Sequence, residues 1–155
     1  MLTGGRFVRD VIALTAGGSD EIRIEPGDQN PVFESTLTLD AGSTTTSESI
    51  SVVNATVEGN LNLRQADGDG DIQVTQGTTV DGVTFVFGGT GTDTTLFDNV
   101  TLKNQANLVY VSGLNTIDFN NNQLEGVVSI LGGTEVDDIT FDNTTLHLDL
   151  SLIHI

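Results

Sequence analysis

In the second half of the chain, apolar and polar positions alternate in short runs, and the runs return at a fixed distance. Phe97, Phe119 and Phe141 stand 22 residues apart, as do Leu102, Leu124 and Leu146, and Val86, Leu108 and Ile130. Segments such as "STLTLD", "NLNL" and "VTFVF" alternate with a period of two, the signature of strands with one buried face. Self-similarity at this period means a solenoid, and the choice lies between a leucine-rich repeat and a β-helix. The units are built from Thr, Val, Asn, Asp and Gly, which suit strands and turns and not the helical half of a leucine-rich repeat. Two or three short strands with their turns fill such a unit, and stacking units ~4.8 Å apart pairs each strand in parallel with its equivalent one coil away. The pattern predicts an all-β fold: a right-handed parallel β-helix with about 22 residues per coil.

"GGTGTDTTLFDNVTL", residues 88 to 102, returns 44 residues later as "GGTEVDDITFDNTTL". In the phrase F-D-N-x-T-L, Phe and Leu point inward, Asp and Thr point outward, and Asn turns the corner in the left-handed conformation that it tolerates. Asn99, Asn121 and Asn143 therefore form a structural ladder, with hydrogen bonds from coil to coil, and Gly77 takes the corner where the pattern lapses. Five full coils are expected, at about 37 to 59, 60 to 81, 82 to 103, 104 to 125 and 126 to 147. Residues 1 to 36 miss the period and hold both prolines, Pro26 and Pro31, so they read as an N-terminal cap or lead-in before a β-helix over 37 to 155. "LDLSLIHI", with His147 and His154, starts a new coil and stops within it, as in a chain truncated at this end. An edge of that kind invites end-to-end self-association.

Charge narrows the partners. Five Lys+Arg against 22 Asp+Glu leave a net charge of −17, which repels phosphate backbones and anionic membranes. Nucleic acid is excluded as a partner, and no run approaches the ~20 apolar residues of a membrane-spanning helix. The apolar run Val11 to Ala16 is shorter than a signal-peptide core. Without cysteine there is no disulfide, thiolate site or cysteine nucleophile.

The acids suggest calcium. Asp71, Asp93, Asn115 and Asp137 follow one another at 22 residues, and "ADGDGDI" sets Asp67, Asp69 and Asp71 in alternation, like the start of an EF-hand loop. The candidate metal ligands are thus Asp67, Asp69, Asp71, Asp93 and Asp137, with solvated acidic corners as the alternative. Thr78 stands where an EF-hand loop ends in Glu. "GGTGTDTTL" and "GGTEVDDIT" resemble the calcium-binding nonapeptide repeats of RTX proteins, G-G-x-G-x-D-x-U-x, with Thr95 at the apolar place of one copy and Glu135 at the third glycine of the other. The resemblance implies Ca2+ held at Gly-rich corners.

For catalysis the inventory is thin: outward Asp98 and Asp142, two coils apart and flanking Asn120, are the one carboxylate pair of the kind a glycosidase uses. Outward Thr56, Thr79, Thr101 and Thr145, with Gln123 among them, form a polar file. In style the coils of residues 37 to 147 resemble autotransporter passengers, haemagglutinin-type adhesins and other secreted β-helix repeat proteins of bacteria. That resemblance implies an extracellular or cell-surface rod, adhesive rather than enzymatic, with matrix or host glycans or proteins as partners. A polysaccharide-binding or polysaccharide-cleaving β-helix is the alternative.

Overall fold

The computed structural model describes residues 1–42 and 47–153, and His154 lies outside the described residues. All secondary structure there is strand, wound into a parallel β-helix of seven coils. In the first three coils the strands are Leu2–Thr3, Arg6–Phe7 and Val11–Leu14; Glu21–Glu25, Val32–Phe33 and Leu37–Asp40; and Glu48–Val53, Thr56–Val57 and Leu61–Arg64. The fourth and fifth comprise Gly70–Thr75, Thr79–Val80 and Thr84–Thr90, then Asp93–Asp98, Thr101–Leu102 and Ala106–Ser112. The last two comprise Thr116–Asn120, Gln123–Leu124 and Val128–Leu131, then Asp138–Asp142, Thr145–Leu146 and Leu150–Ile153. Each coil gives one strand to each of three seven-stranded sheets, called first, second and third in chain order, and the described pairings are all parallel.

Five coils were expected and seven are present, because residues 1 to 36 also pair coil on coil. Leu2 aligns with Ile24 at 22 residues, but Arg6 aligns with Val32 at 26, and Ile22 with Ile50 at 28. The added residues lie in connections, such as the stretch from Pro26 to Pro31, so the strands keep their pairing while the sequence period disappears.

The interior is a set of apolar columns. Leu2, Ile24, Val52, Val74, Phe97, Phe119 and Phe141 follow one another along the first sheet. The rings of Phe97, Phe119 and Phe141 stack at 5.1 and 4.7 Å, within 4° of parallel. The second sheet contributes Phe7, Phe33, Val57, Val80, Leu102, Leu124 and Leu146. The third aligns Val86, Leu108 and Ile130, as expected. Identical side chains fit above one another because every coil places them at the same point of the same cross-section.

The corner between the first and second sheets is left-handed at Asn99, Asn121 and Asn143, with φ of 56°, 58° and 46°. Asn143 Nδ2 donates to Asn121 Oδ1 at 2.7 Å, and Asn121 Nδ2 donates to Asp98 Oδ1 at 3.2 Å, so the ladder steps from amide to carboxylate. In the fourth coil Gln76 takes the left-handed position and Gly77 is an added residue behind it, at φ 83°. Inside the same corner, Asn122 accepts from the Val100 N–H at 2.8 Å and donates to the Phe97 carbonyl at 2.9 Å. Thr144 and Thr78 satisfy corner backbone groups in the same way, so the tight turn leaves these groups bonded inside an apolar core.

Candidate functional site

The candidate ligands Asp67, Asp69, Asp71, Asp93 and Asp137 lie at the opposite corner, where the third sheet runs into the next coil's first sheet through Gly-rich turns. Here Gly89 lies so close to the coil before it that a Cβ would overlap the Ala66 carbonyl, and a Cβ on Gly113 would overlap that of Gly91. Within "GGTGT", Gly89 and Gly91 are thus accounted for by backbone lying on backbone, and Gly88 by the Tyr110 ring and the Asp93 carboxylate that a Cβ there would overlap.

Register decides which acids meet. Gly70, not Asp71, aligns with Asp93, and Gly70 in turn aligns with Glu48. A shift of one residue reverses the face of a strand, so Asp71 points outward while Asp93 points into the core. The expected adjacency of Asp71 and Asp93 is corrected to an inward column of Glu48, Gly70, Asp93, Asn115 and Asp137. Asn115 links its neighbours: its Oδ1 accepts from the Asp93 N–H at 3.2 Å, and its Nδ2 donates to Asp137 Oδ1 at 2.8 Å.

Asp93 is wholly buried, and neither carboxylate oxygen has a hydrogen-bond partner. Burial pushes its carboxyl up from 3.8 to about 6; the nearby Gly70 N–H opposes the rise, and the charges of Asp69 and Glu48 add to it. Gln65 is buried beside it, with Nε2 fixed on the carbonyls of Glu48 (3.1 Å) and Asp71 (3.2 Å) and Oε1 without a partner. A Cβ on Gly70 would overlap that Oε1 and lie 2.9 Å from Asp93 Oδ1, so two acceptors crowd the same space beside Gly70. Tyr110, also buried, donates to Thr95 Oγ1 at 2.7 Å, and its hydroxyl is held above its ordinary range chiefly by burial. That bond explains why a threonine is tolerated at an inward place.

The remaining candidates stand at the surface. Asp67 accepts from Thr90 Oγ1 at 2.9 Å, Asp69 from the Thr92 N–H at 2.9 Å, and Asp71 from Gln73 Nε2 at 2.8 Å. A shallow cleft is lined by Ser47, Glu48, Asp69, Gly70, Asp71, Thr92 and Thr94, but among the described residues no three acid or imidazole groups converge as an ion cage requires. Glu48 and Gln65 escaped the reading of the sequence. The signal was present: Ile72 and Val74 point inward, so alternation alone turns Gly70 in and Asp71 out, and the same rule applied to Ile50 and Val52 turns Glu48 in.

The outward Thr56, Thr79, Thr101, Gln123 and Thr145 form one continuous file on the second sheet. Asp98, Asn120 and Asp142 likewise align on the first, which spaces the two carboxylates at about 9.6 Å along the stack. Together these features define the class: a parallel β-solenoid with tight Asn corners, Gly-packed acidic corners and flat polar faces. In comparison with known proteins, no family model, no curated protein and no solved structure matches the chain.

Proposed function

We propose that this protein is an extracellular structural rod of a bacterial cell surface or secreted assembly, whose flat polar faces adhere to glycans or proteins. The observation that carries the reading is the unbroken register of three seven-stranded sheets, which turns one sequence position into a straight file of like groups. On the first sheet those files present Asp71, Gln73 and Thr75, then Thr94, Leu96 and Asp98, then Thr116, Asp118 and Asn120, and last Asp138, Thr140 and Asp142, polar but for Leu96. Hydroxyls, amides and carboxylates repeated every ~4.8 Å suit a repeating, uncharged or cationic ligand, and the net charge of −17 selects against anionic ones. Calcium belongs to this proposal as a stabiliser of the Gly-rich corner, at the surface cleft that Asp69 and Asp71 line.

The test is binding to an array of neutral and acidic glycans and to matrix-coated surfaces, with reducing ends and unsaturated sugars assayed in parallel. Binding without product supports the rod. Product release that is lost in Asp98→Asn with Asp142→Asn would replace it with a glycan-cleaving enzyme. Thermal melts with excess EDTA and then with millimolar calcium test the cation: an upward shift that Asp69→Asn with Asp71→Asn removes supports it, and identical melts remove calcium from the reading.

A further inference from the structure

The apolar columns are open at both ends of the solenoid. Leu2, Phe7, Val11 and Ala13 are only half-buried on the first coil, as are Phe141 and Leu146 on the seventh, where Leu150 and Leu152 are exposed and an apolar cleft beside Asp137 is lined by Ile130, Val136, Ile139, Leu152 and Ile153. Among the described residues, the first and the seventh coil each leave one edge of all three sheets unpaired. An apolar end alone names no occupant, but two further features do.

The first is metric. From Leu2 to Leu14 the first coil has the same internal spacing as the seventh from Phe141 to Ile153, with strands starting at Arg6 and Thr145 and again at Val11 and Leu150. No insertion separates them, whereas the first and second coils differ by four residues between their first two sheets. Their corners agree as well, with Gly4 at φ 56° where the seventh coil has Asn143 at 46°. Laid on the seventh coil, the first would place Leu2 over Phe141, Phe7 over Leu146, Val11 over Leu150 and Ala13 over Leu152, continuing the columns that run through the molecule.

The second is charge. On the first coil, residues 2–14, the charged side chains are the basic Arg6 and Arg9 and one acid, Asp10, and Arg6 also pairs with Glu34 of the second coil. The stretch from residue 131 onward holds Glu135, Asp137, Asp138, Asp142 and Asp149 and no lysine or arginine. Asp10, the acid nearest the joint on the first coil, is already held by Ser35 and the Thr36 N–H.

We propose that the occupant of each end is a second copy of this chain, stacked head to tail so that the first coil of one molecule continues the seventh coil of the next. The contact joins two different surfaces by a translation and rotation about one axis, so it does not close and builds a filament. Its axial repeat is about 34 Å, seven coils at ~4.8 Å each. This goes beyond the rod reading, since it names the partner of the ends and leaves the binding faces free.

Arg6 and Thr145 test the joint because both are outward, exposed and next to each other only across it; within one molecule they are separated by the whole stack. The chain has no cysteine of its own, so Arg6→Cys combined with Thr145→Cys can be treated with a short bis-maleimide and run on a denaturing gel. The expected result is a ladder of dimers, trimers and longer products from the double variant, with Arg6→Cys alone and Thr145→Cys alone remaining monomers. A double variant that stays monomeric would give the ends to a different occupant, a further coil of a longer chain or an unrelated cap, and overturn the proposal. Dimers from either single variant would mean like ends meeting, and would overturn it too. Glycan binding by the uncross-linked chain is read separately, so failure of the joint and failure of the adhesive reading are distinguishable.

Discussion

Coils five to seven and coils one to three carry the same ladders on different corners. In the later coils each strand follows its equivalent at 22 residues, and the chain turns through one left-handed Asn. In the earlier coils the step runs from 22 to 28, and the corner varies: a long connection between Glu25 and Val32 in the second coil, but tight left-handed turns at Gly4 in the first and Asn54 in the third. The strands pair equally well in both, as Val32 with Thr56 and Thr101 with Gln123 illustrate. What a coil must conserve is therefore its pairing and its inward side chains. The length of its corner is free, because a longer loop adds closure entropy only slowly.

The sharpest way to break this comparison is to remove a ring from each region. Phe119 is fully buried between two stacked rings, so Phe119→Ala is expected to cost about 3 to 5 kcal/mol in a denaturant melt. Phe7, half-buried at the open end against Phe33 alone, should cost less than half of that when cut to Ala. Equal losses would mean that the end coil is as well packed as the middle. Gly89→Ala comes next: its Cβ would overlap the Ala66 carbonyl, and a loss of about 2 kcal/mol or more is expected, whereas exposed Gly27, where a Cβ would meet only ordinary contacts at 3.6 Å and beyond, should tolerate the same change.

Asp93→Asn is expected to stabilise. The folded-state carboxyl titrates near 6 against an ordinary 3.8, so the folded chain binds the proton more tightly. This group therefore favours folding below about pH 4 and opposes it increasingly as pH rises to about 6, above which the penalty is complete. An amide carries no such charge and can donate to the orphan Gln65 Oε1. The gain should reach about 1 to 2 kcal/mol at pH 8, discounted because the corner borders a solvent cleft, and shrink toward pH 4. A variant melting at the wild-type temperature across that range would remove the buried-charge account. The smallest effect concerns the corner where Gln stands in the left-handed place that Asn takes in the coils on either side: Gln76→Gly should raise stability by about 0.5 to 1 kcal/mol, since Gln76 sits at φ 58°. No gain would mean that the Gln76 side chain contributes what its backbone strain removes.

The phenylalanine stack, the leucine and third-sheet columns, the outward threonine file and the Asn corners were all legible, because each position meets the same surroundings in every coil and selection for one environment writes one residue type. The first two coils were illegible for the complementary reason. Their connections differ in length, and a period search sees spacing rather than pairing. At the candidate site, Asp93, Asn115 and Asp137 were correctly stacked, but Asp71 was set in their column where Gly70 belongs. The residue responsible is Gly77, whose insertion lengthens one coil and moves the alignment of the first sheet there to 23 residues.

By itself, then, the sequence determined the coil: its period, its inward columns and its left-handed corners, all of which depend on interactions between one residue and its near-identical copies. Tertiary structure alone decided how many coils there are, which acids stack on which, and that Glu48, Gln65 and Asp93 share an interior corner. Those outcomes depend on hydrogen-bond register between strands a whole coil apart, and a single inserted residue changes that register without leaving a mark on local composition.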